Sequence, residues 1–177
     1  MMQSIETIDG FVKRNKRALW VFKLENNFCV PSDLVGYEFN SQWLQIDEVG
    51  TIEIRKGYVW DGCTFKKSVL DIFIVGTPDG IIDIETLKPK TCYASLVHDA
   101  LYQYYGYHGI RRRDIDRLFL TMMRKKKFKP ALLYYLAVRV FGGLFFCGRK
   151  RIRVDGKVYF KDYWEKKQEQ NPQFRAT

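Results

Sequence analysis

Histidine is scarce in this chain, which has only His98 and His108. A metal-dependent phosphohydrolase of the histidine–aspartate kind draws on further histidines at separate points, so that class is disfavoured. Cysteine is sparse as well. Cys29, Cys63, Cys92 and Cys147 lie far apart, with no Cys-x-x-Cys pair. That spacing argues against a structural zinc site or a thioredoxin-type centre, and for free thiols in a reducing compartment. No Gly-x-Ser-x-Gly elbow occurs and no cysteine has an evident base, so serine and cysteine hydrolases are weak readings. Clean apolar runs are missing too. The longest stretch, Ala131 to Phe146, is interrupted by Arg139 and by Gly142-Gly143, short of the ~20 residues a spanning helix needs. The opening Met1-Met-Gln-Ser4 is not followed by a basic segment and an apolar run, so neither a signal peptide nor a transmembrane helix is expected.

What the chain does have is the material of one folded domain. Its 177 residues, 46% hydrophobic and 16% aromatic, suffice to bury a core, and a single domain over 1–177 is expected. Charge is unevenly placed. Residues 1–110 carry 11 Lys/Arg against 14 Asp/Glu, whereas residues 111–177 carry 19 against 6. A basic C-terminal third attracts polyanions in general: phospholipid headgroups, nucleic acid and acidic protein partners all remain open. The plain alternative is a solvated face kept for solubility.

The pattern along the chain predicts an α+β fold, an N-terminal antiparallel β-sheet followed by a helical core. Over 1–65 the β-prone runs Ala18–Leu24 and Thr51–Ile54 are punctuated by Pro31-Ser, Asn40-Ser and Gly50, and Gly57–Phe65 reads as a strand entering an Asp61-Gly62 turn. Residues 66–90 read as a long connection with a turn at Thr77-Pro-Asp-Gly80. The helical core spans 90–147. Leu96, Val97, Ala100, Leu101 and Tyr104 form one apolar face, and Gly106 can end that helix. Ile115, Leu118, Phe119, Met122 and Met123 mark a second helix, and the short link makes the two antiparallel neighbours. A third begins at Pro130 and is apolar nearly all round, which favours a buried core helix over an interfacial membrane helix. Residues 148–177 form a basic C-terminal extension, polar from Glu165 onward.

Chemistry concentrates on the helix pair. His98 and Asp99 are adjacent on one helix and therefore diverge by about 100°, so the imidazole can face the second helix while the carboxylate faces a loop. Asp116, near the edge of the second helix's apolar stripe, can hold one imidazole N–H and leave the other nitrogen to accept a proton from water, which is how such a pair acts as a general base. Asp99 could meet the Asp61-Gly62 turn, and a carboxylate with turn carbonyls is a set of hard oxygen ligands suited to calcium, which would polarise an ester carbonyl. Each feature alone has a structural explanation: a local polar pair, a turn, a surface ion pair. Their joint occurrence is what points to a site.

The segments Gly57-Tyr-Val-Trp-Asp-Gly-Cys-Thr64, Ala94-Ser-Leu-Val-His-Asp-Ala-Leu-Tyr102, Arg113-Asp-Ile-Asp-Arg-Leu-Phe119 and Tyr135-Leu-Ala-Val-Arg-Val-Phe-Gly142 closely resemble an uncharacterised family of bacterial and phage proteins, domain of unknown function 1353, over about residues 28–142. That family in turn is similar to the prokaryotic phospholipases A2, with a calcium loop carrying Asp-Gly-Cys, an active helix carrying Cys-x-x-His-Asp-x-x-Tyr and a following helix carrying Asp-x-x-Phe. The resemblance implies that Asp61 and Gly62 are loop ligands for calcium, His98 the base, Asp99 a calcium ligand, Tyr102 a supporting hydroxyl and Asp116 the orienting carboxylate. Ser95 stands where those enzymes have a cysteine, so their loop-to-helix disulfide is missing although Cys63 is present. The function implied is a phage-associated, calcium-dependent lipid ester hydrolase acting at a phospholipid membrane. The rival is a non-enzymatic phage virion or tail protein, docked through its basic third onto other virion subunits or nucleic acid. A phage virion or the bacterial cytoplasm is the expected location.

Overall fold

A computed structural model of the chain describes residues 11–12, 21–60, 81–142 and 149–170. Seven short strands come first: β1 (Phe11–Val12), β2 (Val21–Lys23), β3 (Phe28–Pro31), β4 (Phe39–Asn40), β5 (Leu44–Ile46), β6 (Thr51–Ile54) and β7 (Val59–Trp60). They form two antiparallel sheets, of order β1-β2-β7 and β3-β6-β5-β4. In the larger sheet the period of two decides which face is buried. Leu44 and Ile46 on β5 and Ile52 and Ile54 on β6 all turn inward, and the register sets Leu44 opposite Ile54 and Ile46 opposite Ile52. Exposed or half-buried residues alternate with them along both strands.

Helices follow, as the apolar periodicity predicts: α1 (Cys92–Gln103), α2 (Arg112–Lys125) and α3 (Ala131–Phe141). The inner face of α1 places Leu96, Val97, Ala100 and Leu101 in one core with the sheet residues and with Ile110 and Ile115. A second cluster joins Ala94 to Phe119, Leu120, Met123, Phe128 and Ala131, where α1, α2 and the start of α3 meet. The α1–α2 pairing runs antiparallel. His98 meets Asp116 and Phe119, Tyr102 meets Asp116, and Ala94 shares a cluster with Met123. Among the described residues no helix is long and apolar enough to cross a membrane.

One sequence reading needs correction. Helix α3 is not a buried core helix: Leu132, Leu133 and Leu136 are about half exposed and Val140 more so. Only the opposite side packs on α2, because the chain offers no further described element to cover the rest. The basic C-terminal extension carries regular structure. Its described part folds as β8 (Arg151–Val154), β9 (Lys157–Phe160) and α4 (Lys161–Gln170), with Phe160 buried in the main core. Asp155-Gly156 makes the hairpin turn with positive φ at both residues (46° and 75°), the geometry that matches strand twist.

β9 is fastened to the α1–α2 link. Val158 N–H donates to the Gly109 carbonyl at 2.7 Å and Phe160 N–H to the Gly106 carbonyl at 3.1 Å. Gly106 has φ +85°, and a Cβ there would lie 2.4 Å from the Phe160 ring. Gly106 therefore does more than end a helix: only a residue without a side chain lets the aromatic ring lie flat on the link.

Candidate active site

Asp116 is the centre of the site. It sits on the buried side of α2, is fully removed from solvent, and is contacted from all three core helices. Its Oδ1 lies 3.2 Å from His98 Nε2 and accepts the Tyr102 hydroxyl at 2.6 Å, both from α1. Its Oδ2 accepts Arg139 Nη1 of α3 at 3.0 Å and faces Arg112 Nε at 3.9 Å. Arg112 in turn donates from Nη2 to the Arg139 carbonyl at 3.0 Å, closing the network between α2 and α3. A buried carboxylate persists only when charge and hydrogen bonds compensate its lost hydration. Here four groups do so.

The electrostatics follow from this crowding. Burial pushes the Asp116 carboxyl up, but hydrogen bonds from His98, Tyr102 and Arg139 outweigh it and hold the group below the ordinary carboxylate value. Burial likewise pulls His98 down, and its contact with Asp116 together with the nearby charges of Asp99 and Asp116 reverses the sign, leaving the imidazole above its ordinary value. Tyr102 is pushed up by burial and by the Asp116 charge, so it remains a phenol donor.

An anionic Asp116 facing Nε2 places the ring proton there. Nδ1 then carries the lone pair and faces Asp99 Oδ1 at 3.7 Å, too far for a direct hydrogen bond. The ring itself is clamped. Tyr102 stacks on it at 4.2 Å between centroids and Phe119 leans on it at 4.7 Å. Gly142, after α3, comes so near that a Cβ there would lie 3.0 Å from the Tyr102 hydroxyl. Three helices thus fix one imidazole, its tautomer and its orientation.

Of the residues singled out from sequence, the structure brings His98, Tyr102 and Asp116 together, with Asp99 on the other side of the ring at the surface margin. Asp61 and Gly62, the proposed calcium loop, lie outside the described residues. Trp60, the residue before Asp61, donates its indole N–H to Ser95 Oγ at 3.2 Å, one turn before His98 on α1. Among the described residues no group of three or more His, Cys, Asp or Glu side chains stands ready to hold a metal ion; Asp99 is the single proposed ligand they supply. Arg139 and Arg112 were not anticipated. The signal for Arg139 was present: a lone cation in an otherwise apolar helix must find a partner or reach water.

The other histidine has a different task. His108 Nε2–H donates to the Leu101 carbonyl at 2.8 Å, and Nδ1 accepts the Ile110 N–H at 3.0 Å, so the neutral ring is satisfied at both nitrogens. Burial, partly offset by the Leu101 bond, lowers its pKa from 6.5 to about 4. An unfolded chain binds this proton near pH 6.5 and the folded one near pH 4, so the ring costs nothing above that window and about 3 kcal/mol below it. Stability should therefore fall as pH drops from 6.5 to 4. His108→Gln should flatten that part of the profile in urea titrations; an unchanged slope would show that the ring titrates normally.

No protein-family model, curated protein or solved structure matches the chain.

Proposed function

We propose that the protein is a lipid ester hydrolase of the phospholipase A2 kind, with His98 as general base and Asp116 as the carboxylate that orients it. The observation that carries this reading is the contact of His98 Nε2 with the solvent-free Asp116, which leaves Nδ1 turned toward the partly exposed Asp99. In this reading Nδ1 takes a proton from water as the water attacks the ester carbonyl, and the imidazolium returns that proton to the alcohol oxygen as the ester C–O bond breaks, releasing fatty acid and alcohol. Asp116 offsets the positive charge that develops on the ring, and Tyr102 and Arg139 keep Asp116 in place. Asp99, with Asp61 and Gly62, would hold calcium, which would supply polarisation of the ester carbonyl. The Trp60–Ser95 hydrogen bond supports the reading in that it ties the residue before Asp61 to α1, at the helix position where the phospholipases A2 that the sequence resembles use a disulfide.

A second reading has its own support. A carboxylate bonded by His98, Tyr102 and Arg139 from two other helices is also a sound way to lock three helices together. The same hub then serves a virion or tail protein without chemistry. Fatty-acid release from phospholipid vesicles separates the two. The hydrolase reading expects release with millimolar calcium that a chelator abolishes. No release from any phospholipid class under these conditions leaves the structural reading.

A further inference from the structure

Helix α3 carries an apolar face that nothing among the described residues covers. Leu132 is 51% exposed, Leu133 49%, Leu136 50% and Val140 67%. At 100° per residue these four positions fall within an arc of about 100°, a single stripe along the helix. Such a contiguous face costs free energy in water, unlike scattered surface leucines.

The rim of this face is cationic. Lys127 and Lys129 are exposed in the turn that leads into α3, and residues 111–141 together hold ten Lys/Arg against two Asp/Glu. Those two acids are engaged, Asp114 with Arg111 and Asp116 in the buried hub. Half-buried Tyr134 and Tyr135 flank the stripe on α3. Next to the same turn, the loop over 81–90 exposes Ile84 (91%) and Leu87 (75%). Lys126 fastens that loop to the α2–α3 turn by pairing with Asp83 at 2.9 Å and Glu85 at 3.5 Å, so the loop's acids are held by a cation of the turn.

We propose that α3 is an interfacial helix, laid on an anionic phospholipid surface by Leu132, Leu133, Leu136 and Val140, with Lys127 and Lys129 at the headgroups. Two requirements select this occupant. The stripe calls for an apolar partner, which nucleic acid does not offer, and the rim calls for negative charge, which the same cationic face of a second copy, packed face to face, does not offer. The stripe is the convex side of one helix, suited to lying in an interface plane. The inference deepens the lipid reading above by naming the docking surface, and it stands on residues outside the His98 site.

The test is co-sedimentation of the full chain with vesicles of phosphatidylcholine alone or mixed with phosphatidylglycerol, at low and high salt. Wild type should bind the mixed vesicles. Leu133→Gln with Leu136→Gln should weaken that binding by at least about tenfold at either salt, since it removes inserted apolar area. Lys127→Gln with Lys129→Gln should weaken it severalfold, and only at low salt. Glutamine is a good helix former and both leucines are half exposed, so circular dichroism should be unchanged. Equal vesicle binding by wild type and the leucine variant overturns the proposal, as does failure of wild type to bind. A wild-type dimer in ultracentrifugation that the leucine variant dissociates also overturns it, assigning the face to a second copy. His98→Gln should bind vesicles as wild type does. Docking that survives the absence of any fatty-acid release removes the ester chemistry alone, and release from dispersed short-chain lipid without vesicle binding removes the docking alone.

Discussion

Asp116→Ala is expected to lower the unfolding free energy by about 3–5 kcal/mol, seen as a lower urea midpoint at an unchanged slope. The loss is large because alanine removes the only described partner that the Arg139 guanidinium meets at 3.0 Å and strips the Tyr102 hydroxyl of its 2.6 Å acceptor. Against the roughly 5–15 kcal/mol that holds a typical domain together, this is a severe defect. Asp116→Asn should cost less, since its amide oxygen still accepts from Tyr102 while Arg139 goes unneutralised. The depressed Asp116 pKa sets the pH window: the stabilisation is present above the ordinary value of 3.8 and is lost as pH falls through the lowered folded value. Wild type and Asp116→Ala should therefore converge in strong acid. A penalty below about 1 kcal/mol at neutral pH would mean that the hub does not hold the helices.

His98→Gln should separate chemistry from architecture. If His98 is the base, fatty-acid release should fall by about 10²–10⁴-fold, the usual contribution of a positioned general base. The glutamine amide can still donate toward Asp116, and the Tyr102 and Arg139 bonds do not involve the ring, so stability should drop far less than in Asp116→Ala. A structural hub predicts the opposite balance, with both variants ranked by stability alone. Release that survives His98→Gln undiminished would remove His98 as the base and leave it a helix tie.

Much of this arrangement was legible from residue spacing. The periodicities of two and 3.6 located β6, α1, α2 and α3, and the short link implied the antiparallel pair that brings His98 to Asp116. The finer placement was less visible. Counting Leu118 and Met122 into the α2 stripe puts Asp116 at its edge. In the structure the buried arc is Ile115, Asp116, Phe119, Leu120 and Met123, so the carboxylate lies inside it. Sequence pattern treats an acid as a boundary of an apolar face, because the ion pairs that permit burial come from elsewhere, here from Arg139 on α3. The exposure of α3 was hidden for a similar reason: an apolar helix demands cover, and the pattern does not say whether the cover is this chain or another phase. The β8–β9 hairpin was readable and missed. Arg151-Ile-Arg-Val154 and Lys157-Val-Tyr-Phe160 flank Asp155-Gly156, a strong hairpin signal that the basic composition obscured.

The clasp between β9 and the α1–α2 link has a consequence for the order in which the molecule can be made. The carbonyls of Gly106 and Gly109 are bonded by residues some fifty positions later in the chain. The Phe160 ring occupies part of the core beside Tyr105 and Tyr107. During synthesis the two helices that carry His98 and Asp116 leave the ribosome well before that ring exists. Until β9 arrives, the link between them lacks both its hydrogen-bond donors and its aromatic floor, so the nascent pair can form early and settle late. Closing so distant a contact is also slow on topological grounds. The candidate site is thus a late product of folding, completed by a hairpin that contributes no atom to it.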